Sequence, residues 1–334
     1  MTSISTNVLV TGGAGFIGSR LIERLLRRPE VRCICLDDYN DYYAPALKRN
    51  NTAGFAAEPR VRLIEASFCD AERMLQLFAE EKPTHVAHLG AYAGVRYSLA
   101  NPFPYERHNV GGTLALLEAA RHHPVSRFVI ASSSTVYGRN AAAPFQEDAP
   151  LGIPLSPYGA SKRAAELMGL TYLDLYAVPV TIVRPFSVYG PRLRPDLAMS
   201  IFTEAILHDE PIPLFGDGSI RRDFTYIDDL CDGLEAMLDA DCIGQAINLG
   251  HDEPIAMRDV IATLERTLGK PAVIKRLPPK DGEMPITHAD LSKAKRLLNY
   301  APRTSFDDGV QAFCDWYRRH GTADHGGRWN ATRT

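Results

Sequence analysis

The stretch "VLVTGGAGFIG" constrains this chain of 334 residues more than any other part of it. It sets Gly12, Gly15 and Gly18 between a β-rich run at 7–11 and the amphipathic segment "FIGSRLIERLLRR", which opens with Phe16 and Ile17. In such a loop the first glycine permits a tight turn, and the second lets a pyrophosphate approach the backbone. The third lets helix and strand pack closely. The helix then points its unpaired N–H groups at the phosphates. A second β-rich run at 31–37 ends in Asp37, 19 residues after Gly18. That is close to the spacing of an acid that bonds the adenosine ribose hydroxyls. An acid there repels a 2′-phosphate, so the pattern predicts NAD rather than NADP. Asp38 and Asn40 stand where further ribose or adenine contacts arise, and Lys48 either touches the cofactor or is solvated surface.

Further strand-like runs follow at 61–65, 84–88, 126–131 and 179–184, with helical patterns at 71–81, about 105–122 and 158–176. This alternation predicts an α/β fold: a doubly wound parallel sheet of the Rossmann type with helices on both faces. Near-unbroken Val, Ile and Leu in the strands suits a sheet covered on both sides. After residue 185 the alternation fails. "RPFSVYGPRLRPD" leads to a helix, a turn in "LFGDGSIRRDF" and a helix from about 228, capped by Asp228 and Asp229. A late strand, "QAINLG", and helices near 257–268, 290–297 and 307–320 complete the chain. The expected division is a cofactor domain over 1–185, to which 245–250 returns, a smaller substrate lobe over 186–320, and a tail over 321–334.

Composition excludes several classes. A net charge of −3 with no basic block gives no nucleic-acid footprint. No apolar stretch approaches the roughly 20 residues that cross a bilayer. The polar start runs straight into a strand pattern, without a signal peptide. The six cysteines form no CxxC pair and read as reduced core residues, with no metal site implied. A cytoplasmic enzyme is the expectation.

"SPYGASKRAAEL" carries Tyr158 and Lys162 four residues apart at a helix start, so both share one face. Upstream, "VIASSSTVYG" ends an apolar run in four hydroxyls, Ser132, Ser133, Ser134 and Thr135. With the glycine loop, these segments resemble the extended short-chain dehydrogenase/reductase family, in particular its nucleotide-sugar epimerases and dehydratases. The resemblance runs from "TGGAGFIG" through "SSSTVYG", "YGASK" and "RPFSVYG" to "RRDFTYIDD". It implies that Tyr158 is the general base, Lys162 its activator and nicotinamide-ribose ligand, and Ser133 the hydroxyl on the reacting sugar oxygen. A phenol with a pKa of about 10 needs such help, and a positive charge about 5–6 Å away at an effective dielectric of about 20 supplies roughly two pK units. The resemblance extends the cofactor contacts to Ser67, Phe68, Leu89, Ala91 and Ala93. It adds Asn109, Pro185 and Val188 nearer the nicotinamide.

Related 4,6-dehydratases carry Asp-Glu where this chain has Ser134-Thr135, and related UDP-glucuronate decarboxylases carry Glu in place of Thr135. Neutral hydroxyls there leave C4 oxidation without the acid/base groups of those side reactions, which is all that epimerisation needs. "AGVRYSLANP", "LDDYNDYYAPALKR" and "FGDGSIRRDFTYIDD" look most like the UDP-glucuronate 4-epimerase subgroup. A glucuronate would give Ser134, Thr135 and Ser187 a second purpose, pinning the carboxylate against loss of CO2. The resemblance also implies Arg222 and Lys280 on the diphosphate and Leu214 and Phe215 around the uracil. Arg194 reaches the diphosphate or the carboxylate, and Arg96 the carboxylate or its own loop. This chain departs from the subgroup at Tyr92, Ser187 and Arg192-Leu193. Another UDP-hexose such as UDP-glucose, a decarboxylase, and a non-catalytic NAD(H) sensor therefore remain as alternatives. A homodimer through the helices at 105–122 and 158–176 is a family expectation.

Overall fold

A computed structural model describes residues 5–139, 141–278 and 284–324. Six strands alternate with helices in the first half: β1 (Thr6–Thr11), β2 (Val31–Asp37), β3 (Val61–Glu65), β4 (His85–His88), β5 (Arg127–Ala131) and β6 (Val180–Pro185). The second half adds β7 (Ser187–Tyr189), β8 (Pro211–Phe215), β9 (Arg221–Tyr226), β10 (Ala246–Leu249), β11 (Pro254–Ala256) and β12 (Val273–Leu277). Seven strands form one sheet in the order β10-β6-β5-β4-β1-β2-β3. All its pairings are parallel, with Val8 opposite Cys33 on one side and His85 on the other. The order reverses between β1 and β4, and ligands of such sheets bind outside the strand C-termini at that crevice.

Strand alternation accounts for the apolar runs. Val8 and Val10 enter the core on one face, with Cys33, Cys35 and Val129. Leu9 enters the core on the other face, with Ile34, Leu36 and Ile130. The first core continues without a break into the C-terminal residues Phe224, Ile227, Leu264 and Phe313, so the smaller lobe is welded to one side of the sheet.

Several C-terminal elements differ from expectation. The segment around "LFGDGSIRRDF" is a turn only between the ends of β8 and β9. β8 pairs in parallel with β12, and β7, β9 and β11 form a three-stranded sheet. These strands are short and carry Pro, Arg and Tyr, and β9 and β12 do not alternate, so pairing with distant segments reveals them. The last helix, Phe306–Asp324, continues past Gly321, and the rest of the expected tail lies outside the described residues. Asp228 and Asp229 lie in the first turn of the helix Ile227–Asp239, not at its cap. Asp228 pairs with Arg20 at 2.5 Å, and the Asp229 carboxylate accepts the Arg303 and Thr304 amides. Among the described residues no helix is long and apolar enough to cross a membrane.

Candidate active site

One cleft of about 1750 Å³ opens along the C-terminal ends of the sheet strands and continues over β7, β8 and the helix Ala198–Leu207. At its floor, Gly12 takes φ +65°, and a Cβ there would stand 2.8 Å from the Gly90 Cα. Both facts require glycine. The Gly15 amide closes the turn on the Gly12 carbonyl at 3.0 Å, and a Cβ on Gly15 would intrude 3.0 Å from that oxygen. The helix Phe16–Leu25 starts there with no side-chain cap and no acid in its first turn, so its amides and dipole face the cleft.

Asp37 ends β2 beside this loop and is 5% exposed. Its carboxylate accepts the Ala14 amide at 3.2 Å, the Tyr39 amide at 2.9 Å and the Lys48 ammonium at 3.4 Å. Burial pushes its pKa up, and the Lys48 charge opposes that. Lys48 also donates to Asn40 Oδ1 at 3.2 Å, while Asn40 donates to Asp38. Lys48 is therefore the buried counter-ion of Asp37 and not a solvated surface cation. The loop glycines leave room for a pyrophosphate, and the acid stands ready for a ribose, so these residues fit a dinucleotide.

Phe16, Ile17, Gly18, Phe68, Leu89, Ala91 and Ala93 line the same part of the cleft, as do Pro185 and Val188 further along. Ser67 and Asn109, expected at the cofactor, are absent from its walls. The Ser67 hydroxyl accepts the Cys69 amide at 3.2 Å. Asn109 is 1% exposed in a π-helical turn, Glu106–Gly112, and its amide is spent on protein. It accepts from the Tyr92 amide and donates to the Tyr92 carbonyl and Ser161 Oγ, each at 2.9 Å. Their polar atoms hold neighbouring loops.

"SPYG" dictates the corner that carries Tyr158 and Lys162. Ser156 caps the helix Pro157–Tyr176 by accepting the Gly159 amide at 3.1 Å, and Pro157 occupies the first turn. Tyr158 consequently sits in the opening turn, with Lys162 one turn on. Both line the cleft. Lys162 is 5% exposed and donates to the Ala131 carbonyl at 2.7 Å. Burial pulls its pKa down to about 8, against the Glu166 carboxylate, which raises it. The phenol of Tyr158 departs from expectation: burial pushes it up, and the groups that lower it are the Ser133 hydroxyl and the charge of Arg194. Lys162 is engaged with the strand-end carbonyl instead.

The four hydroxyls divide their tasks. Ser132 turns inward to Glu166 at 2.6 Å. Ser133 accepts both the Thr135 amide at 3.2 Å and the Thr135 hydroxyl at 3.0 Å. Ser134, Thr135 and Ser187 line the cleft.

On the lobe side, Arg194 is held by both oxygens of Asp196, at 2.9 and 2.6 Å, and lies 5.4 Å from the Tyr42 ring centroid. The Tyr42 hydroxyl donates to the Ala93 carbonyl at 2.6 Å and lies 3.3 Å from Asp196 Oδ2. This clasp of Tyr42 and Asp196 was not anticipated, although both residues stand in quoted motifs. A cation two residues from an acid was its only sequence signal. Arg222 lines the cleft and donates to the Met284 carbonyl at 2.9 Å. Arg96 stacks 5.6 Å from the Phe215 ring, beside Leu214. Lys280 lies outside the described residues.

The chain is similar over most of its length to known nucleotide-sugar enzymes. Residues 9–313 match the family model described as GDP-mannose 4,6 dehydratase. A UDP-glucuronate 4-epimerase from Thermodesulfobacterium geofontis is 39% identical over 314 residues, 93% of this chain and 96% of that protein. The crystal structure of UDP-glucuronic acid 4-epimerase from Bacillus cereus, in complex with UDP-glucuronic acid and NAD, superposes with a TM-score of 0.89. It is 38% identical and covers 94% of this chain and 99% of that one. A dTDP-glucose 4,6-dehydratase from Streptomyces venezuelae reaches a TM-score of 0.88 at 30% identity, covering 98% and 100%. The fold is thus common to both chemistries, and side chains must separate them.

Proposed function

The chain belongs to the GDP-mannose 4,6 dehydratase family of extended short-chain dehydrogenase/reductases, and we propose that it is an NAD-dependent 4-epimerase interconverting UDP-glucuronate and UDP-galacturonate. The observation that carries this reading is the strand end at 131–135. Ser133, Ser134 and Thr135 line the same cleft as Tyr158, so neutral hydroxyls stand where related 4,6-dehydratases carry acids, which supports epimerisation.

NAD, when bound, supplies the hydride acceptor and donor at sugar C4. Gly12, Gly15 and the amides of the following helix would hold its phosphates, Asp37 its adenosine ribose and Lys162 its nicotinamide ribose. Tyr158 takes the C4 hydroxyl proton as that carbon is oxidised. It returns the proton when the ketone is reduced on its other face. Ser133 aligns the sugar oxygen with the phenol, and the Arg194 charge favours the phenolate that base catalysis requires. Arg222, Leu214, Phe215 and Lys280 belong to UDP recognition in this reading. Ser134, Thr135 and Ser187 hold the carboxylate out of the alignment in which a β-keto acid loses CO2.

In the same proposal, residues 1–185 with 245–250 are the cofactor domain and 186–320 the substrate lobe. The protein acts as a cytoplasmic homodimer. Dimerisation is supported by apolar side chains left exposed along the expected helical face, Leu167 at 50%, Leu175 at 61% and nearby Phe103 at 83%.

The test is to incubate purified protein with UDP-glucuronate and follow the mixture by proton NMR, with and without added NAD. UDP-galacturonate without CO2 is the expected product. A UDP-pentose would overturn the hydroxyl argument. No turnover of UDP-glucuronate, with UDP-glucose epimerised instead, would overturn the substrate.

A further inference from the structure

Ser132 and Glu166 have no part in the mechanism above, yet they occupy its foundation. Glu166 lies one helical turn after Lys162 and is fully buried. Its carboxylate accepts four bonds: from Ser132 Oγ at 2.6 Å, Arg184 Nε at 2.8 Å, Arg184 Nη2 at 3.0 Å and Arg163 Nη1 at 2.7 Å. Arg184 on β6 is itself buried and reaches the Tyr137 hydroxyl at 3.2 Å and the Glu147 carbonyl at 3.3 Å.

Ser132 stands between two residues that line the cleft with the catalytic pair. The carbonyl before it, of Ala131, receives the Lys162 ammonium, and the hydroxyl after it, of Ser133, holds the Tyr158 phenol down against burial. We propose that Glu166 is a positioning residue for catalysis. Through Ser132 it fixes the strand end that sets Ser133 and Lys162 against Tyr158, and its buried negative charge keeps Lys162 an ammonium.

The charged and titratable groups around Lys162 leave this task to Glu166. His88 on β4 faces it but is held neutral, its pKa pulled down to about 3 by burial and by Lys162 itself. Tyr158 precedes it on the same helix, and the Tyr105 ring packs 6.0 Å from the Tyr158 ring. Arg163 and Arg184 are cations, each spent on Glu166. Tyr137 and Glu147 lie beyond Arg184, with the Glu147 carboxylate accepting the Asn248 amide at 2.8 Å. Burial disfavours a charged lysine, and a single carboxylate at i+4 spacing opposes it in part, leaving the pKa at about 8.

This inference rests on the reading of Tyr158 as base, and the experiment separates the two. Full-length holoprotein is assayed with UDP-glucuronate from neutral to alkaline pH as native, E166Q, S132A, E166Q/R184M and Y158F. E166Q is expected to keep KM and lose at least about tenfold in kcat. Its alkaline limb should move down by about one pH unit or more, the size of one nearby buried charge. The double variant removes both ends of the buried Glu166–Arg184 ion pair, which spares the fold an unpaired Arg184 charge, and moves the limb in the same direction by less, because a cation leaves with the carboxylate. S132A lowers kcat with the limb unmoved, because the charge is still present.

The ultraviolet tyrosinate titration assigned to Tyr158, by difference from the matching Y158F protein, should shift upward in E166Q. A folded E166Q or double variant whose pH profile superimposes on the native one would overturn the inference. An active Y158F would instead overturn the proposed function.

Discussion

Gly18→Ala tests the cofactor cradle most directly. A Cβ on Gly18 would stand 2.2 Å from the Gly12 carbonyl oxygen and 2.9 Å from both the Gly12 carbonyl carbon and the Gly13 Cα. Ordinary contact begins near 3.4 Å, so the seam between loop and helix must open by roughly an ångström. All three neighbours are backbone and have no rotamer to swing aside. Overpacking of this kind costs about 1–3 kcal/mol of stability. The larger effect falls on NAD. A helix terminus that retreats this far carries its amides out of hydrogen-bonding range of the pyrophosphate. Two weakened charge-assisted bonds amount to about 3 kcal/mol, or roughly a hundredfold in Kd. Calorimetric titration of NAD into protein stripped of nucleotide measures this, with circular dichroism to show that the variant is folded. Gly54→Ala is the control. Its nearest neighbour, Glu23 Oε1, is 3.6 Å from the added carbon, so NAD affinity should not move. A folded Gly18→Ala protein that binds NAD within about threefold of native would refute the cradle.

Two further outcomes follow from the same geometry. Lys162 in the folded protein has its pKa lowered to about 8 from 10.5, so below pH 8 its buried charge costs about 3 kcal/mol, and that cost disappears between the two values. Lys162→Met should therefore exceed the native protein in urea stability at neutral pH, with the difference shrinking as pH rises above 8. A pH-independent difference would contradict the buried ammonium. Tyr42→Phe removes the hydroxyl that joins Ala93 to the Arg194–Asp196 pair, a loss of about 1 kcal/mol per bond. It should raise KM for the UDP-sugar several-fold and lower kcat as well, since Arg194 also supplies the charge on the Tyr158 phenol, as steady-state kinetics on the purified variant will show.

The half of the fold that builds the seven-stranded sheet was legible because its determinants are local. The glycine spacing, Ser156-Pro157 ahead of Tyr158 and the apolar runs of β1 to β6 each act within a few residues. The smaller lobe was not, since β8 finds its partner β12 some sixty residues later and β12 shows no apolar alternation. Among site residues, Gly12, Asp37, Tyr158 and Lys162 could be placed on the cleft by spacing, because a strand end or a helix turn aims each of them. Spacing could not reveal how polar atoms are divided among competing partners. Asn109 spends its amide on Tyr92 and Ser161, Lys48 turns inward to Asp37, and Lys162 meets a backbone carbonyl while Arg194 supplies the charge on the Tyr158 phenol. Backbone conformation and hydrophobic period are written into neighbouring residues, and so the dinucleotide fold and the helix bearing Tyr158 and Lys162 follow from the chain alone. Hydrogen bonds and buried charges are settled by whatever packing brings within about 3 Å, and at this site those neighbours arrive from β4, β5, β6 and the lobe at once.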